Sequence, residues 1–580
     1  MGNGLVVWRS VVVAVTLLGL GLAGCGDPPI ATNGSGDATG DVAKLDGKTG
    51  DVAADSVDGM VDAATDGEDA ATDGASDAQG DGGPDVILTD GVFIYDGGPQ
   101  PDIDATADDI LCGGGKVTDF HLVSTDPPEG GAGVANPFTF TMTFNTLVKA
   151  VVIGPNTVQV SVNGEIIEGK FSVSCNSFTF KANSAVLGAS RVDVTLSPLV
   201  QAEIGFNLPN QVNYHFYVRG YDGMAPYEKL AQRYAPTLRQ AVAGGNAAND
   251  QLRSFDFDGN WAASDNGANV SKFPALGQAG WSVLETQSHY FITYVYFWPH
   301  RTVVLAGVAF DNDSSGATVA VAKWPAEHPV AVTTWFKQKS MEEMWTWVTS
   351  ESGIPKTGYV RGVLPESTLF PPSKDTWGCE NIAGCTPRRY PAFLTSGNHQ
   401  SCLWLDAGDN LNCTNNAATQ VDLKWIDYVP GATPTEPGAA AAPGPVATYG
   451  LQSTYDTWWP RRQDAGADGM WTDTSYSYVP AATRPPGVKM VIGGKFYNKD
   501  NDASRPPWAW NWKGTDYYQL PVGTVFLDPA YANAKRFQDT KNPLGDYNAA
   551  KKTGWSQDYC FNPYLYIDLR TSANCVGTVP

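Results

Sequence analysis

Strict alternation of apolar and polar residues marks the first part of the folded chain. It runs through Phe138–Phe144 and again through Val158–Val162, which is followed by Asn163-Gly164, a dipeptide typical of two-residue hairpin turns. Similar short runs follow at Phe178–Phe180, Val192–Leu196 and Tyr214–Val218. Five or more such strands within about a hundred residues predict an antiparallel, Ig-like β-sandwich over residues 112–220.

The pattern changes after residue 220, where aromatic residues become dense. Seventeen of the 18 tryptophans lie between Trp261 and Trp555. The segment predicts many short strands and few helices, and a Pro/Ala/Gly tract at about 430–447 predicts a loop insertion. We therefore expect a large β-sandwich-like domain with long loops over 221–580. Strands are predicted at 281–298, 302–310, 317–323, 392–395, 489–492 and 522–526, and helices at 228–238 and 341–349.

The N-terminus has the pattern of an export signal. Arg9 precedes a short apolar run from Val11 to Gly21, and the small residues Ala23 and Gly24 come before Cys25. The run is too short to span a bilayer as a mature helix. The segment resembles the lipobox of bacterial lipoproteins, and the resemblance implies removal of residues 1–24 and attachment of lipid to Cys25. The alternative is an ordinary signal peptide followed by an unrelated cysteine.

Residues 25–111 are acidic and poor in large apolar side chains. From 26 to 111 there are 20 Asp and one Glu against two Lys, a net charge of −19. Such a segment cannot bury enough surface to offset its ordering entropy, so it predicts a disordered tether at least roughly 50 Å in reach. A calcium-binding array on the regularly spaced aspartates is the alternative, but the ligand spacing of known calcium loops is missing. Residues 112–580 are only mildly acidic, which argues against a nucleic-acid partner.

Eight cysteines remain once Cys25 is set aside, an even number in an exported chain. In an oxidising compartment disulfides are favoured over free buried thiols. Eight cysteines allow many pairings, of which the most local choice is Cys379/Cys385, Cys402/Cys413, Cys560/Cys575 and Cys112/Cys175. No C-x2-C pair is present, which argues against a zinc ribbon.

Two family resemblances cover most of the folded chain. The segments Ser124–Pro128 and Gly133–Pro137, placed before the alternating strand, resemble the opening of bacterial Ig-like domains of the S-layer type. Phe144–Val148 stands where those domains often have an F-S-x-P-V turn and lacks its proline. The resemblance implies a spacer or adhesion module rather than an active site.

Eight short segments of the C-terminal part carry a second resemblance. They are Arg233–Pro236, Phe255–Trp261, Val283–Phe291, Asn312-Asp313, Tyr390–Phe393, Gly397–His399, Asp528–Ala530 and Asn562–Tyr564. In order and spacing they resemble the family named after vacuolar protein sorting-associated protein sixty-two. In that family related bacterial sequences tend to have His-Glu before the Asn-Asp pair, whereas this chain has Phe310-Asp311 there. The family implies a β-rich domain with no established reaction.

Candidate chemistry is sparse, because serine-hydrolase, zincin, P-loop and dinucleotide fingerprints are all missing from the sequence. Glu285 and His289 fall on one face if they share a strand, but about 13 Å apart. His399 could converge with His289 and Asp313 in an acid–base or metal site. The alternative is a set of hydrogen-bonded structural residues.

Two further groups of residues suggest ligands. Asp256, Asp258, Asn260 and Asp265 place oxygen ligands near one turn and could hold calcium, although the turn lacks the EF-hand pattern and a plain turn is the simpler interpretation. An exposed aromatic stripe would suit sugar rings or a protein partner, whereas the alternative is an ordinary aromatic core. The aromatic candidates are Trp458, Trp459, Trp508, Trp510 and Trp512.

The sequence thus favours an exported, lipid-anchored protein of the bacterial cell envelope, at the outer membrane or cell surface rather than the inner membrane. The leading hypothesis is a binding module for glycan or protein. The alternatives are a secreted hydrolase that uses the His/Asp residues, with a metal or without one, and a structural spacer of the envelope.

Overall fold

The computed structural model describes the folded part of the chain from residue 117 onward, with gaps. The signal segment, Cys25 and most of the acidic tether lie outside the described residues. The description covers 88–89, 92–93, 117–162, 164–242, 247–262, 264–302, 310–338, 341–356, 360–404, 424–462, 464, 470, 476–478, 490–492, 507–509, 522–537 and 545–575.

The protein is mainly β, as the sequence predicts. Its N-terminal strands form a short hairpin and then two four-stranded antiparallel sheets, ordered β3-β4-β8-β7 and β10-β9-β5-β6. The strands are β1 (Leu88–Thr89), β2 (Val92–Phe93), β3 (Leu122–Asp126), β4 (Thr139–Phe144), β5 (Val158–Val162), β6 (Glu165–Ile166), β7 (Gly169–Ser174), β8 (Ser177–Ala182), β9 (Arg191–Leu196) and β10 (Val212–Tyr217).

The inner faces of these two sheets share one hydrophobic core. On β4 the side chains of Phe140, Met142 and Phe144 are buried while those between them are more exposed. Phe140 stacks against Phe180 of β8, with ring centroids 5.3 Å apart. The alternation read from the sequence thus sets which face of each strand points inward.

The rest of the chain builds one 13-stranded sheet and a separate two-stranded hairpin, β22–β23. The strands are β11 (Thr237–Val242), β12 (Gln278–Thr286), β13 (His289–Arg301), β14 (Phe310–Ala322), β15 (His328–Gln338), β16 (Met341–Thr349), β17 (Val360–Leu364), β18 (Pro391–Leu394), β19 (Ser401–Leu403), β20 (Lys424–Pro430), β21 (Val446–Ser453), β22 (Tyr476–Tyr478), β23 (Met490–Ile492), β24 (Tyr559–Asn562) and β25 (Ile567–Asp568).

The large sheet is ordered β17-β16-β15-β14-β13-β12-β21-β20-β11-β18-β19, and β24 pairs with both β12 and β25. Strands β12 to β16 form an antiparallel meander. Strand β21 joins this meander to the remaining strands through parallel pairing with β12 and β20. Between β20 and β21 the chain passes through the Pro/Ala/Gly tract.

Among the described residues, five helices accompany the sheet, and the structure corrects two of the secondary-structure predictions. Residues 341–349 form strand β16 rather than a helix, because pairing with β15 and β17 on either side outweighs local helix propensity. Residues 522–526 are helical rather than extended, and Asp528 donates its N–H to the carbonyl of Thr524 over 2.8 Å. The helices are α1 (Ala225–Tyr234), α2 (Asn266–Asn269), α3 (Glu366–Leu369), α4 (Val522–Leu527) and α5 (Pro529–Phe537).

Two of the predicted disulfides are confirmed. Cys379 is bonded to Cys385, and Cys560 is bonded to Cys575. Cys175 and Cys402 are also disulfide-bonded. The partners predicted for them, Cys112 and Cys413, lie outside the described residues.

The junction between the β-sandwich and the large sheet is built from charged and aromatic side chains. Asp464 accepts hydrogen bonds from Arg191 of β9, over 3.0 Å, and from the hydroxyl of Tyr217 at the end of β10. Arg461 lies between the rings of Tyr217 and Trp261, 4.8 and 4.1 Å from their centroids. These contacts fix one end of the sandwich against the large sheet.

Candidate functional site

His399 and Asp313, two of the candidate catalytic residues, meet in the interior of the large unit. Nδ1 of His399 lies 2.9 Å from Oδ2 of Asp313, and Nε2 lies 3.2 Å from Oδ1 of Asp250. Asp250, which the sequence did not single out, thus holds the second ring nitrogen. With both nitrogens acting as donors, the imidazole bridges two carboxylates.

Arg301 completes this group, called here the His399 cluster (Asp250, Arg301, Asp313 and His399). Its guanidinium lies 3.6 Å from Asp313, so two cations balance two carboxylates when His399 is protonated. Burial alone would lower the pKa of His399, but hydrogen bonds to Asp250 and Asp313 and their charges raise it above its ordinary value. The imidazolium is therefore the stable form.

A tight turn after β18 presents His399 to the cluster. Gly397 adopts φ +77°, and a β-carbon there would lie 2.4 Å from the carbonyl oxygen of Thr302, so only glycine fits. The same Gly397 donates its N–H to Oδ1 of Asp250 over 2.7 Å. Gln400 closes the turn by donating its N–H to the hydroxyl of Thr395. The turn is thus tied to the cluster by backbone as well as side chain.

The His399 cluster is sealed from solvent. His399, Asp250 and Arg301 have no exposed surface and Asp313 has 2%. The indole of Trp298 covers one face of the imidazole, with centroids 4.3 Å apart and planes 2° apart. Among the described residues these side chains are covered by protein, and the arrangement acts as an electrostatic link between the segment at Asp250, strands β13 and β14 and the turn after β18.

His289 lies elsewhere. It opens β13, whereas Trp298, nine residues further along, pairs with Asp313. At about 3.3 Å per residue, His289 is roughly 30 Å from the His399 cluster. Its Nδ1 is hydrogen-bonded to the hydroxyl of Ser288 over 2.7 Å, and Trp555 packs on its ring. The three candidates therefore do not converge on one cleft.

Glu285 and His289 also do not share a strand, which corrects the sequence interpretation. The chain reverses between them, so Glu285 lies on β12, one residue before its end, and pairs with Tyr290 of β13, the strand that begins at His289. Glu285 is fully buried, where its carboxylate accepts a hydrogen bond from Tyr227 and pairs with Lys323. Burial lowers the pKa of Lys323 to about 8 although Glu285 opposes the shift. This is a satisfied internal ion pair.

The tryptophans proposed as an exposed platform are largely core residues. Trp458, Trp459 and Trp508 have 2% exposure or less, and Trp459 packs edge-on against both Trp508 and Tyr564. They cannot offer open ring faces to a ligand, because the core covers those faces. Trp510 and Trp512 lie outside the described residues.

The four candidate calcium ligands form a hydrogen-bonded turn. Gly259 donates its N–H to the carbonyl of Asp256, closing the turn. The side-chain amide of Asn269 bridges Oδ2 of Asp258 and Oδ2 of Asp265, at 2.8 and 3.0 Å, and the amide of Asn260 lies 3.4 Å from Asp265. In the part of the chain that the structure describes, no group of three or more His, Cys, Asp or Glu residues is placed to hold a metal ion.

A different aromatic group lies on the outward face of the large sheet. Arg239 of β11 lies between the indoles of Trp404 and Trp425, 5.0 and 4.9 Å from their centroids. Asp427 of β20 receives two hydrogen bonds from Arg239, at 2.7 and 3.1 Å, and one from Nε1 of Trp425. Phe393 of β18 stacks on Trp404. We call these five residues the Arg239 face.

The Arg239 face is partly open to solvent. The side chains of Arg239 and Asp427 are 28% and 26% exposed, and both indoles are half-buried. Arg239 lies over both indoles, and Phe393 stacks on Trp404 with ring centroids 5.0 Å apart. The solvent-facing part of this group therefore includes the Arg239–Asp427 pair and part of each indole.

No protein-family model matches the chain, and no curated protein matches it either. Solved structures that align with it include CopC from Methylosinus trichosporium OB3b, at 16% identity over 18% of this chain and 97% of that one, with TM-score 0.14. The N-terminal part of the bacterial S-layer protein SbsC aligns at 11% identity over 34% of this chain and 43% of that one, with TM-score 0.15.

The LD transpeptidase LdtMt1 in complex with imipenem aligns at 12% identity over 33% of this chain and 79% of that chain, with TM-score 0.13. TM-scores this low establish neither a shared fold nor a shared function. Among the described residues, no helix is long and apolar enough to cross a membrane.

Proposed function

We propose that this chain is an exported envelope lipoprotein, anchored through Cys25, whose large β unit binds a protein partner through the Arg239 face. The anchor is supported by the lipobox-like segment Leu22–Cys25. Export is supported by the disulfides, since such bonds persist mainly in oxidising compartments. The acidic tether then lets the folded part move away from the lipid surface.

The observation that carries the binding proposal is the Arg239 face itself. Tryptophan and arginine are enriched at the energetic centres of protein interfaces, and here two indoles and a guanidinium are preassembled on a rigid sheet. The Arg239–Asp427 pair fixes the guanidinium, so little side-chain freedom remains to be lost on binding. A protein is favoured over a glycan, because sugar rings stack on open indole faces and here Arg239 already lies over both indoles and Phe393 stacks on Trp404.

The hydrolase alternative gains no support from the geometry. It requires His289, His399 and Asp313 around one solvent-open cleft. The His399 cluster is instead sealed, and His289 is roughly 30 Å away along β13.

The binding proposal is tested with isolated cell envelopes from the producing bacterium. The lipid-free chain from Gly26 onward is titrated onto envelopes, with Trp404→Ala/Trp425→Ala as the test variant and exposed Lys229→Ala as the control. We expect saturable binding that the double variant loses by at least about tenfold and the control retains. Equal binding by the double variant would refute the proposal that the Arg239 face is the binding surface.

Treatment of the envelopes identifies the class of ligand. Protease digestion should abolish binding, whereas periodate oxidation of sugars should leave it intact. The reverse result would show that the ligand is a glycan. Anchoring is tested separately by the intact mass of the mature protein, which should carry acyl chains that Cys25→Ser lacks.

A further inference from the structure

The end of the β-sandwich that points away from the large sheet carries exposed apolar side chains. Arg191 and Tyr217, which contact Asp464, mark the end of the β9–β10 pair that faces the large sheet. At the opposite end Leu196 pairs with both Val212 and Val158. The segments attached there, 145–157 and 197–211, are called here the distal tip.

Backbone hydrogen bonds tie the two segments of the distal tip together. Lys149 donates its N–H to the carbonyl of Gln201, and Glu203 donates to Leu147. A small hairpin follows, in which Ala202 donates to Phe206. The tip is thus an ordered surface rather than a set of independent loops.

Four large apolar side chains are exposed on this surface. Val151 is 63% exposed, Leu199 65%, Ile204 49% and Phe206 41%. The two segments contain only two charged residues, Lys149 and Glu203, which cancel. Exposed apolar side chains on a surface of zero net charge mark a place of contact with another apolar phase or partner.

The chain enters the sandwich at this same end. Asn145 of the distal tip donates its N–H to the carbonyl of His121, and its side-chain amide bonds Asp119. Residues 119 and 121 are among the first described residues of the sandwich, and the 86 residues from Gly26 to Leu111 precede them in the sequence. The described chain therefore enters the sandwich at the end that carries the exposed apolar side chains, and the residues that lead back to Cys25 join the fold there.

We propose that the distal tip docks reversibly on the lipid surface to which Cys25 is anchored, an inference that rests on the proposed anchoring. The tether keeps the tip within reach of the bilayer, so docking is an intramolecular event at high effective concentration and weak contacts suffice. An apolar tip of zero net charge inserts by burying apolar area and needs no basic patch. Docked and extended states would then place the Arg239 face at two heights above the membrane.

Amide hydrogen exchange tests directly whether the distal tip docks on the lipid surface. The lipidated protein is reconstituted in vesicles of phosphatidylethanolamine with a minor share of phosphatidylglycerol and compared with the lipid-free chain from Gly26 onward in buffer. We expect amides of the distal tip to exchange at least about tenfold more slowly on vesicles. Leu199→Ser/Phe206→Ser should abolish this protection, whereas Ile166→Ser, 66% exposed at the other end of the sandwich, should not.

Two results would overturn the proposal. Rapid exchange on vesicles and in buffer alike would mean that nothing covers the tip. Equal protection in both samples would mean that the tether or a second copy of the chain covers it. The intact mass reports the anchor independently, and if Cys25 carries no lipid, the same comparison with the soluble chain and concentrated vesicles still decides whether the tip docks.

Discussion

The imidazole of His399 lies parallel to the indole of Trp298, with centroids 4.3 Å apart, and both side chains are fully buried. The contact joins the turn after β18 to the middle of β13. Both ring nitrogens are bonded to carboxylates, and Trp298 lies against one face of this imidazole. These contacts indicate that His399 has a structural role.

Removing His399 should strongly destabilise the protein. In His399→Gln the carboxylates of Asp250 and Asp313 remain buried beside a single cation, Arg301, and loss of one partner from a buried ionic group costs about 3–5 kcal/mol. Chemical denaturation of the variant should show this loss, with His121→Gln, an exposed histidine, as control. A loss below about 1 kcal/mol would show that the cluster is not a structural link.

The part of the His399 contribution that comes from its charge should be lost at alkaline pH. Its pKa is raised in the folded state, so the stabilisation is complete below its unfolded pKa of about 6.5 and is lost as the pH rises through the folded pKa. The difference in unfolding free energy between wild type and His399→Gln should therefore be largest below pH 6.5 and shrink at high pH. Denaturation series across pH measure it, and a constant difference would contradict protonation of His399.

His289 should make the protein sensitive to acid. Burial, with the nearby charges of His328 and Lys323, lowers its pKa to about 3, so it stays neutral in the folded state while the unfolded state takes up a proton. Stability should fall by up to about 1.4 kcal/mol per pH unit as the pH drops from about 6.5 toward 3. In His289→Gln the slope should be smaller by that amount. An unchanged slope would place the acid-sensitive group elsewhere.

The two confirmed disulfides should contribute different amounts to the free energy of unfolding. Cys560 and Cys575 are 15 residues apart, and closing such a loop contributes about 3 kcal/mol through the unfolded state. Cys379 and Cys385 are six residues apart and should contribute about 2 kcal/mol. Denaturation of the paired Cys→Ser variants tests this order. A reversed order would mean that strain or residual unfolded structure dominates.

Asp464 should hold the β-sandwich on the large sheet. In Asp464→Ala both Tyr217 and Arg191 lose an acceptor, and two lost hydrogen bonds should open the junction at least about tenfold more often. Trypsin cleavage at Arg219, between the two units, should accelerate accordingly. Asp193→Ala removes the other partner of Arg191, within the sandwich, and should leave the cleavage rate near that of wild type.

Much of the sandwich could be predicted because its strands expose one face. The alternation from Phe138 to Phe144 predicts which side chains point inward, and the burial pattern of β4 agrees with that prediction. The central strands of the large sheet show no such alternation of apolar and polar residues, because they are covered on both faces. Residues 341–349 form a strand only because β15 and β17 are there to pair with them.

The candidate site was harder to predict from the sequence for a related reason. His399 and Asp313 meet through a turn and a strand 86 residues apart, and nothing near Asp250 marks it as their third partner. The Arg239 face had one local signal, the alternation of Trp425 and Asp427 on a strand, but Arg239 and Trp404 join them only through strand order. Spacing along the chain reports neighbours on one strand, not neighbours across a sheet.

Hydroxyl-radical footprinting of Trp404 and Trp425, with the chain free and bound to isolated envelopes, tests the central claim most directly. It needs no substitution, so altered folding cannot confuse the result. The account predicts that oxidation of both indoles falls on binding while exposed residues of the β-sandwich such as Ile166 keep their rate. Unchanged oxidation of both indoles in the bound protein, together with new protection elsewhere, would show that the Arg239 face is not the binding surface.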